Sequence, residues 1–207
     1  MDIGILGTGI VGQTIGTRLI ELGHVVMMGS RTANNQNARA WAKAAGHPAS
    51  FGTYGDTAKF GEILFNCTSG KGSLSALEFA RAVDLNNKVL IDLANPLDYS
   101  RGLPPTLTIC NTDSLAEQIQ REHPLLKVVK ALNIMNVDVM VHPERVHGQH
   151  DAFICGNDAG AVFQPENPLE EAMPSLTAGY ALIVVENSRP VGILTKIDVL
   201  DYVAGKI

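Results

Sequence analysis

Residues 7 to 12 read Gly7-Thr8-Gly9-Ile10-Val11-Gly12, three glycines at the G-x-G-x-x-G spacing. Phosphate chemistry explains the residue type. One glycine permits a tight turn, one lets the backbone approach a pyrophosphate, and one lets the following helix pack on the strand. The phosphates would rest at the helix N-terminus, where free N–H groups and the dipole favour negative charge. Spacing alone is a weak signal, so the flanking elements decide. Asp2 to Leu6 reads as a short apolar strand, and Val11, Ile15, Leu19 and Leu22 recur at helical spacing until Gly23, a C-cap residue. "HVVMMGS" then supplies a second strand, completing a βαβ unit able to hold a dinucleotide.

The end of that second strand bears on which dinucleotide. A site for NAD places Asp or Glu there, to accept from a ribose 2′-hydroxyl and repel a 2′-phosphate. Here the chain has Gly29-Ser30-Arg31. An Arg31 guanidinium can form a charge-assisted pair with the phosphate, and the Ser30 hydroxyl can add a bond, so NADP(H) is the expected cofactor. Arg31 as a solvated loop cation is the alternative.

Farther on, "EILFNCTSG" and "KVLIDLANPLD" are apolar runs that end in small or polar residues. Buried parallel strands look this way when their carboxyl ends open on a ligand crevice, so Asn66 to Gly70 and Ala94 to Pro96 are expected to face it. Ser114 to Glu117 has capping-box spacing and opens a helix to about Glu122. "KVVKALNIMN" and "DAFICGND" read as further strands, and the alternation of strand and helix predicts a doubly wound α/β sheet.

Other groups that could do chemistry are less organised. His142, His147 and His150 could bind a metal, but Pro143 and Gly148 mark a turn and the spacing fits no helix face, so no metal is expected. Asp92 and Asp98 could be an acid/base pair; the other reading buries one with hydrogen-bond partners and leaves one in water. Cys67, Cys110 and Cys155 are odd in number and far apart, which suggests free, buried thiols rather than a disulfide framework.

Composition narrows the classes. The 207 residues, 45% hydrophobic and 18% charged with a net charge of −5, describe one globular core plus a small appendage, and exclude nucleic acid as the expected partner. No run approaches the roughly 18 apolar residues of a membrane span, and the glycine-rich start does not read as a signal peptide, so a cytoplasmic protein with no membrane partner is expected.

"IGILGTGIVGQTIG", "GSR", "DLANPLD", "NTDSLAEQIQ", "KVVKALNIMN" and "FICGNDA" together resemble the NADP-dependent oxidoreductases typified by the NADPH:coenzyme F420 oxidoreductases, over residues 1 to about 159. The resemblance implies a Rossmann-type domain and hydride transfer between NADP(H) and a flavin or deazaflavin. It implies that Gly7, Thr8, Gly9, Ile10, Val11, Gly12, Ser30 and Arg31 hold NADP. Cys67, Thr68, Ser69, Asn95 and Pro96 would lie near the nicotinamide, and Asn133, Ile134 and Met135 on the acceptor side. No catalytic side chain is expected, because direct hydride transfer between heterocycles needs position rather than a general acid.

From about Val162 the chain departs from that pattern. "FQPENP" reads as a linker, Leu169 to Leu176 as a helix, "YALIVVE" and "RPVGILTK" as strands joined by "NS", and "IDVLDYVAG" as a helix. Gly192 to Asp198 resembles the G-h-x-T-x-x-D signature of CBS domains, so the tail resembles part of one such module. That resemblance implies adenosine-nucleotide contacts at Thr195 and Asp198; Asp198 as a plain helix cap is the alternative. The expected division is 1–161, a Rossmann dinucleotide-binding domain, and 162–207, a helix-hairpin-helix segment of CBS-like character docked on it or on a partner chain, as in a homodimer. Two unrelated signatures in one short chain read as a natural fusion or an engineered chimera. Three functions stay open: an NADP(H) oxidoreductase, an adenine-nucleotide-sensing module, and a fused scaffold without turnover.

Overall fold

The computed structural model describes residues 1–147 and 152–158, and the strands at 162–163, 182–186 and 189–194. The elements run β1 (Asp2–Leu6), α1 (Ile10–Glu21), β2 (Val25–Ser30), α2 (Gln36–Ala45), β3 (Ala49–Thr53), α3 (Tyr54–Phe60) and β4 (Ile63–Asn66). There follow α4 (Ser73–Glu78), α5 (Ala82–Leu85), β5 (Val89–Asp92), β6 (Leu97–Asp98), β7 (Thr106–Leu107), α6 (Leu115–Glu122), β8 (Lys127–Ala131), α7 (Val137–Val141) and β9 (Ile154–Gly156).

Seven strands form one sheet in the order β3-β2-β1-β4-β5-β8-β9. The order reverses between β1 and β4, the switch point outside which an open α/β sheet binds ligands. Six strands are parallel, and β9 is antiparallel to β8, pairing Val129 with Gly156. The doubly wound parallel sheet predicted from the sequence is formed by these six strands, and β9 alone differs. The difference arises after β8, where α7 is only five residues long and packs on α1 rather than carrying the chain back across the sheet.

Alternation along the strands builds a core on each face. Ile3, Ile5, Ile63, Phe65, Val89, Ile91 and Val129 pack with Ile15 and Leu19 of α1 and Trp41 of α2. Leu6, Leu64, Leu90 and Val128 pack the other way, on Ala58 of α3, Leu77 of α4 and Ile119 of α6. The sheet is therefore doubly wound, as its sequence pattern predicts. Local chemistry fixes the helix ends: Ser114 Oγ accepts from the Glu117 N–H at the start of α6, and Thr53 with Asp56 forms a capping box on α3.

Beyond residue 161 the described strands are β10 (Val162–Phe163), β11 (Leu182–Glu186) and β12 (Arg189–Leu194), a three-stranded sheet in the order β10-β11-β12. The antiparallel pair β11–β12 is the hairpin read from "YALIVVE" and "RPVGILTK". Its register shifts opposite Val184 and Val185, next to Pro190, which has no N–H to give to a ladder. β10 was not assigned from sequence, and Phe163 belongs to it rather than to a linker. The expected helices at 169–176 and 197–205 lie outside the described residues.

Candidate functional site

The glycine turn joins β1 to α1 above the switch point. Gly7 has φ +119°, and a Cβ there would stand 2.6 Å from the Cys67 carbonyl oxygen, so only glycine makes this turn. Gly12 faces the turn itself, where a Cβ would lie 2.5 Å from the Gly7 oxygen and 3.2 Å from Ile5. At Gly9 a Cβ would meet no atom within 4 Å. That is the backbone surface left open to a ligand. No side chain caps the first turn of α1, and no acidic residue stands in it, so its N–H groups and dipole favour an anion.

Gly7, Thr8 and Gly9 open on a hollow of about 530 Å³ that also takes in Arg31, Thr68 and Lys71. Among the described residues its lining carries two cations, Arg31 and Lys71, and no carboxylate. Arg31 reaches Tyr54: burial pushes the phenol's pKa up, and the guanidinium bonded to it works against that rise. Ser30 is buried, and its hydroxyl donates to the Thr32 carbonyl at 2.6 Å, which shapes the turn presenting Arg31.

Cys67, Thr68, Ser69 and Lys71 also line a second hollow of about 680 Å³, so the two form one crevice across the carboxyl ends of β1, β4 and β5. The far side is mostly apolar, with Leu93, Met135, Val137 and Met140, and carries Asn95 and Asn133. These two amides hold together the loops that follow β5 and β8: Asn95 Nδ2 donates to the Asn133 carbonyl at 2.7 Å, and Asn133 Nδ2 donates to Asn95 Oδ1 at 3.1 Å. One wall is the β6–β7 hairpin, where Asp98 pairs with Lys71 at 3.2 Å.

Under the crevice lies a buried polar network that the sequence reading did not assemble. Asn66 Nδ2 donates to Asp92 Oδ1 at 2.7 Å and to Ser73 Oγ at 3.0 Å, while the Thr68 hydroxyl donates to Asn66 Oδ1 at 2.7 Å. Lys130 Nζ pairs with Asp92 Oδ2 at 2.9 Å and donates to the Ala94 carbonyl. Buried polar groups are tolerable when each is partnered, and here the partners bind the ends of three adjacent strands together.

Most of the sequence-predicted site residues converge. Gly7, Thr8, Gly9 and Arg31 line the first hollow, Val11, Asn95, Asn133 and Met135 the second, and Cys67, Thr68 and Ser69 both. Five others line neither. Ile10 is exposed on α1, Gly12 packs within the turn, Ser30 serves its own turn, and Ile134 points to solvent. Pro96 is buried, and its carbonyl accepts from Thr108 in the β6–β7 hairpin, so it anchors that wall from behind. Asn66, expected to face the crevice, is fully buried beneath it.

Asp92 and Asp98 follow the second of their two readings, one wholly buried and partnered and the other at the surface with Ser100 and Lys71. Of the cysteines, only Cys67 is buried. Cys110 and Cys155 are exposed because they sit in an irregular loop and on the edge strand β9. His142 bonds Glu144 at 3.0 Å, and His147 is exposed. His150, Thr195 and Asp198 lie outside the described residues.

A crystal structure from Arthrobacter sp. FB24, a candidate F420-dependent NADP-reductase, is 41% identical, with a TM-score of 0.71 over 90% of this chain and 84% of that one. Residues 2–96 match the family model described as NADP oxidoreductase, coenzyme F420-dependent. The chain belongs to this family. Rat metalloreductase STEAP3 is 26% identical over 159 residues. That match takes in 77% of this chain, which spans only 30% of the STEAP3 length. A reductive aminase from Aspergillus terreus, solved with NADPH and ethyl-5-oxohexanoate, shares the fold at 16% identity, with a TM-score of 0.54 over 99% of this chain and 61% of its own. Residues 161–205 match the CBS-domain model, a second family within one family member. Among the described residues no helix is long and apolar enough to cross a membrane.

Proposed function

We propose that this chain binds NADP(H) along the crevice and transfers hydride between it and a flavin or F420-like deazaflavin. The observation that carries the reading is the continuity of the two hollows, the first cationic with an open glycine backbone, the second apolar and lying against its far end. The residues fit the cofactor: the turn at Gly7–Gly9 and the uncapped N-terminus of α1 would hold the pyrophosphate, and Arg31 the 2′-phosphate. NADP(H) supplies the hydride, and no side chain need give or take a proton for it to move.

The protein's part is position. Asn95 and Asn133 fix the facing loops, Thr68 is held from below by Asn66, and Leu93, Val137 and Met140 keep water from one wall. Anaerobic mixing with NADPH and, separately, F420, FMN and a ferric chelate tests this. Loss of nicotinamide absorbance with F420 or FMN supports the reading; oxidation by the ferric chelate alone, or by none, contradicts it.

The CBS match supports a second binding role for the tail, with residues 1–161 as the dinucleotide domain and 162–207 as a partial CBS segment, a fusion of two families. The sheet formed by β10, β11 and β12 is consistent with that boundary. A segment of this size holds too little core to stand alone, so it docks on the first domain or on a second copy in a homodimer. AMP binding lost in Thr195→Ala/Asp198→Ala supports the role, and no AMP binding by the full chain contradicts it.

A further inference from the structure

Among the described residues Lys71 is the one with a cationic side chain that lines both hollows, and no motif in the sequence marks it. Its backbone is fixed. Gly70 donates to the Asn95 carbonyl at 3.2 Å, and a Cβ on Gly70 would stand 2.4 Å from Asn95 carbonyl atoms, so the loop lies flat against the neighbouring strand end. The side chain is not fixed. Among the described residues it pairs with Asp98 alone, at 3.2 Å, and it is 59% exposed, which makes the pair one that water and a better anion can break.

Asp98 does not depend on that pair. The Ser100 N–H and hydroxyl donate to it at 3.2 Å and 2.8 Å, and these bonds come first in holding its carboxyl below the ordinary range, with Lys71 after them. The carboxylate therefore stays in place and ionised when the lysine leaves. On the other side of Lys71 is a hollow lined by the glycine turn and Arg31, with no carboxylate among its described lining residues, in a chain whose net charge is −5. Such a concentration of positive potential in an acidic protein favours an anion there.

We propose that Lys71 is a phosphate-reading residue at the joint of the two hollows, resting on Asp98 and exchanging it for a phosphate oxygen of the bound ligand. The inference rests on the crevice being a nucleotide site. The phosphate belongs either to the bridge of the dinucleotide or to a second substrate such as a flavin mononucleotide; the recognising chemistry is the same. Because Asp98 competes with the ligand for the ammonium, removing the lysine and removing the carboxylate have opposite effects, which a merely structural surface pair would not show.

Calorimetric titration of NADPH, FMN and inorganic pyrophosphate into the full chain, Lys71→Met and Asp98→Asn tests this at low salt. Lys71→Met is expected to weaken the phosphate ligand roughly fivefold or more, and Asp98→Asn to tighten the same ligand about twofold. A change confined to NADPH and pyrophosphate assigns the dinucleotide bridge; one confined to FMN assigns the second substrate. Both support the inference. Unchanged binding of all three ligands in both variants, or shifts of the same sign in both, would overturn it. If the parent chain binds pyrophosphate but not NADPH, the dinucleotide reading fails while the Lys71 effect is still read on pyrophosphate. If it binds none of the three, both fail.

Discussion

The Lys130 ammonium lies 2.9 Å from the carboxylate of Asp92, a residue with no exposed surface, directly below the carboxyl ends of β5 and β8. The carboxylate also accepts from Asn66 of β4 and from the Ala94 N–H. One buried charge thus gathers three adjacent strands at the floor of the crevice. Taking away the cation would leave that charge unpaired, which is far costlier than losing both partners together. Lys130→Met should destabilise the protein by about 3 kcal/mol, and adding Asp92→Asn should recover much of the loss. Urea unfolding of the two variants checks this; additive losses would contradict it.

Gly7 and Gly9 should respond oppositely to the same substitution. Gly7→Ala forces a Cβ into the Cys67 carbonyl at positive φ and should cost about 1–3 kcal/mol. Gly9→Ala adds a methyl to open space in extended backbone, and should leave the melting temperature nearly unchanged while weakening NADPH binding about tenfold or more. A Gly9→Ala protein that binds NADPH normally would remove the pyrophosphate from this turn.

The thiols should divide by exposure. Burial, and then the nearby Asp92 charge, push the Cys67 thiol far up, so it stays protonated and shielded, while Cys110 and Cys155 are open to solvent. A disulfide reagent should titrate Cys110 and Cys155 in the native protein and reach Cys67 only on unfolding. Fast native labelling of Cys67, read by peptide mass, would contradict the burial.

Much of this was legible because the signals were local. The glycine turn, its flanking strands and the Ser114 cap each lie within a few residues of one another, and hairpin β11–β12 is announced by two apolar runs around a short polar turn. The Asn66–Asp92–Lys130 network was not legible. Its members are 26 and 38 residues apart, and only the strand order makes them neighbours. Lys71 was hidden differently: a lysine between glycines reads as a loop cation until the β6–β7 hairpin and the glycine turn are seen on either side of it. Ser30 shows the converse, a hydroxyl assigned to a ligand by residue type and spent on its own turn.

Acid should weaken the fold through defined carboxylates. Two bonds from Arg121, at 3.0 Å and 2.8 Å, come first in holding Asp113 well below the ordinary carboxylate range, with Gln118 helping. A folded pKa below the unfolded one means that the contribution is complete above the unfolded value of about 3.9 and is lost as pH falls through the folded value. Asp113→Asn should therefore melt below the parent at pH 7, with the gap closing as pH drops towards 2. A gap independent of pH would show that the bridge adds nothing through its charge.

The most direct test of the NADP(H) assignment is calorimetric titration of NADPH and NADH into the full chain and Arg31→Asp. Arg31 is exposed at the end of β2 and opens on the cationic hollow, so a carboxylate there would repel a 2′-phosphate and accept from a 2′-hydroxyl. The account predicts that the parent prefers NADPH and that Arg31→Asp loses NADPH affinity far more than NADH affinity. Equal losses for the two, or a parent that binds neither, would contradict it.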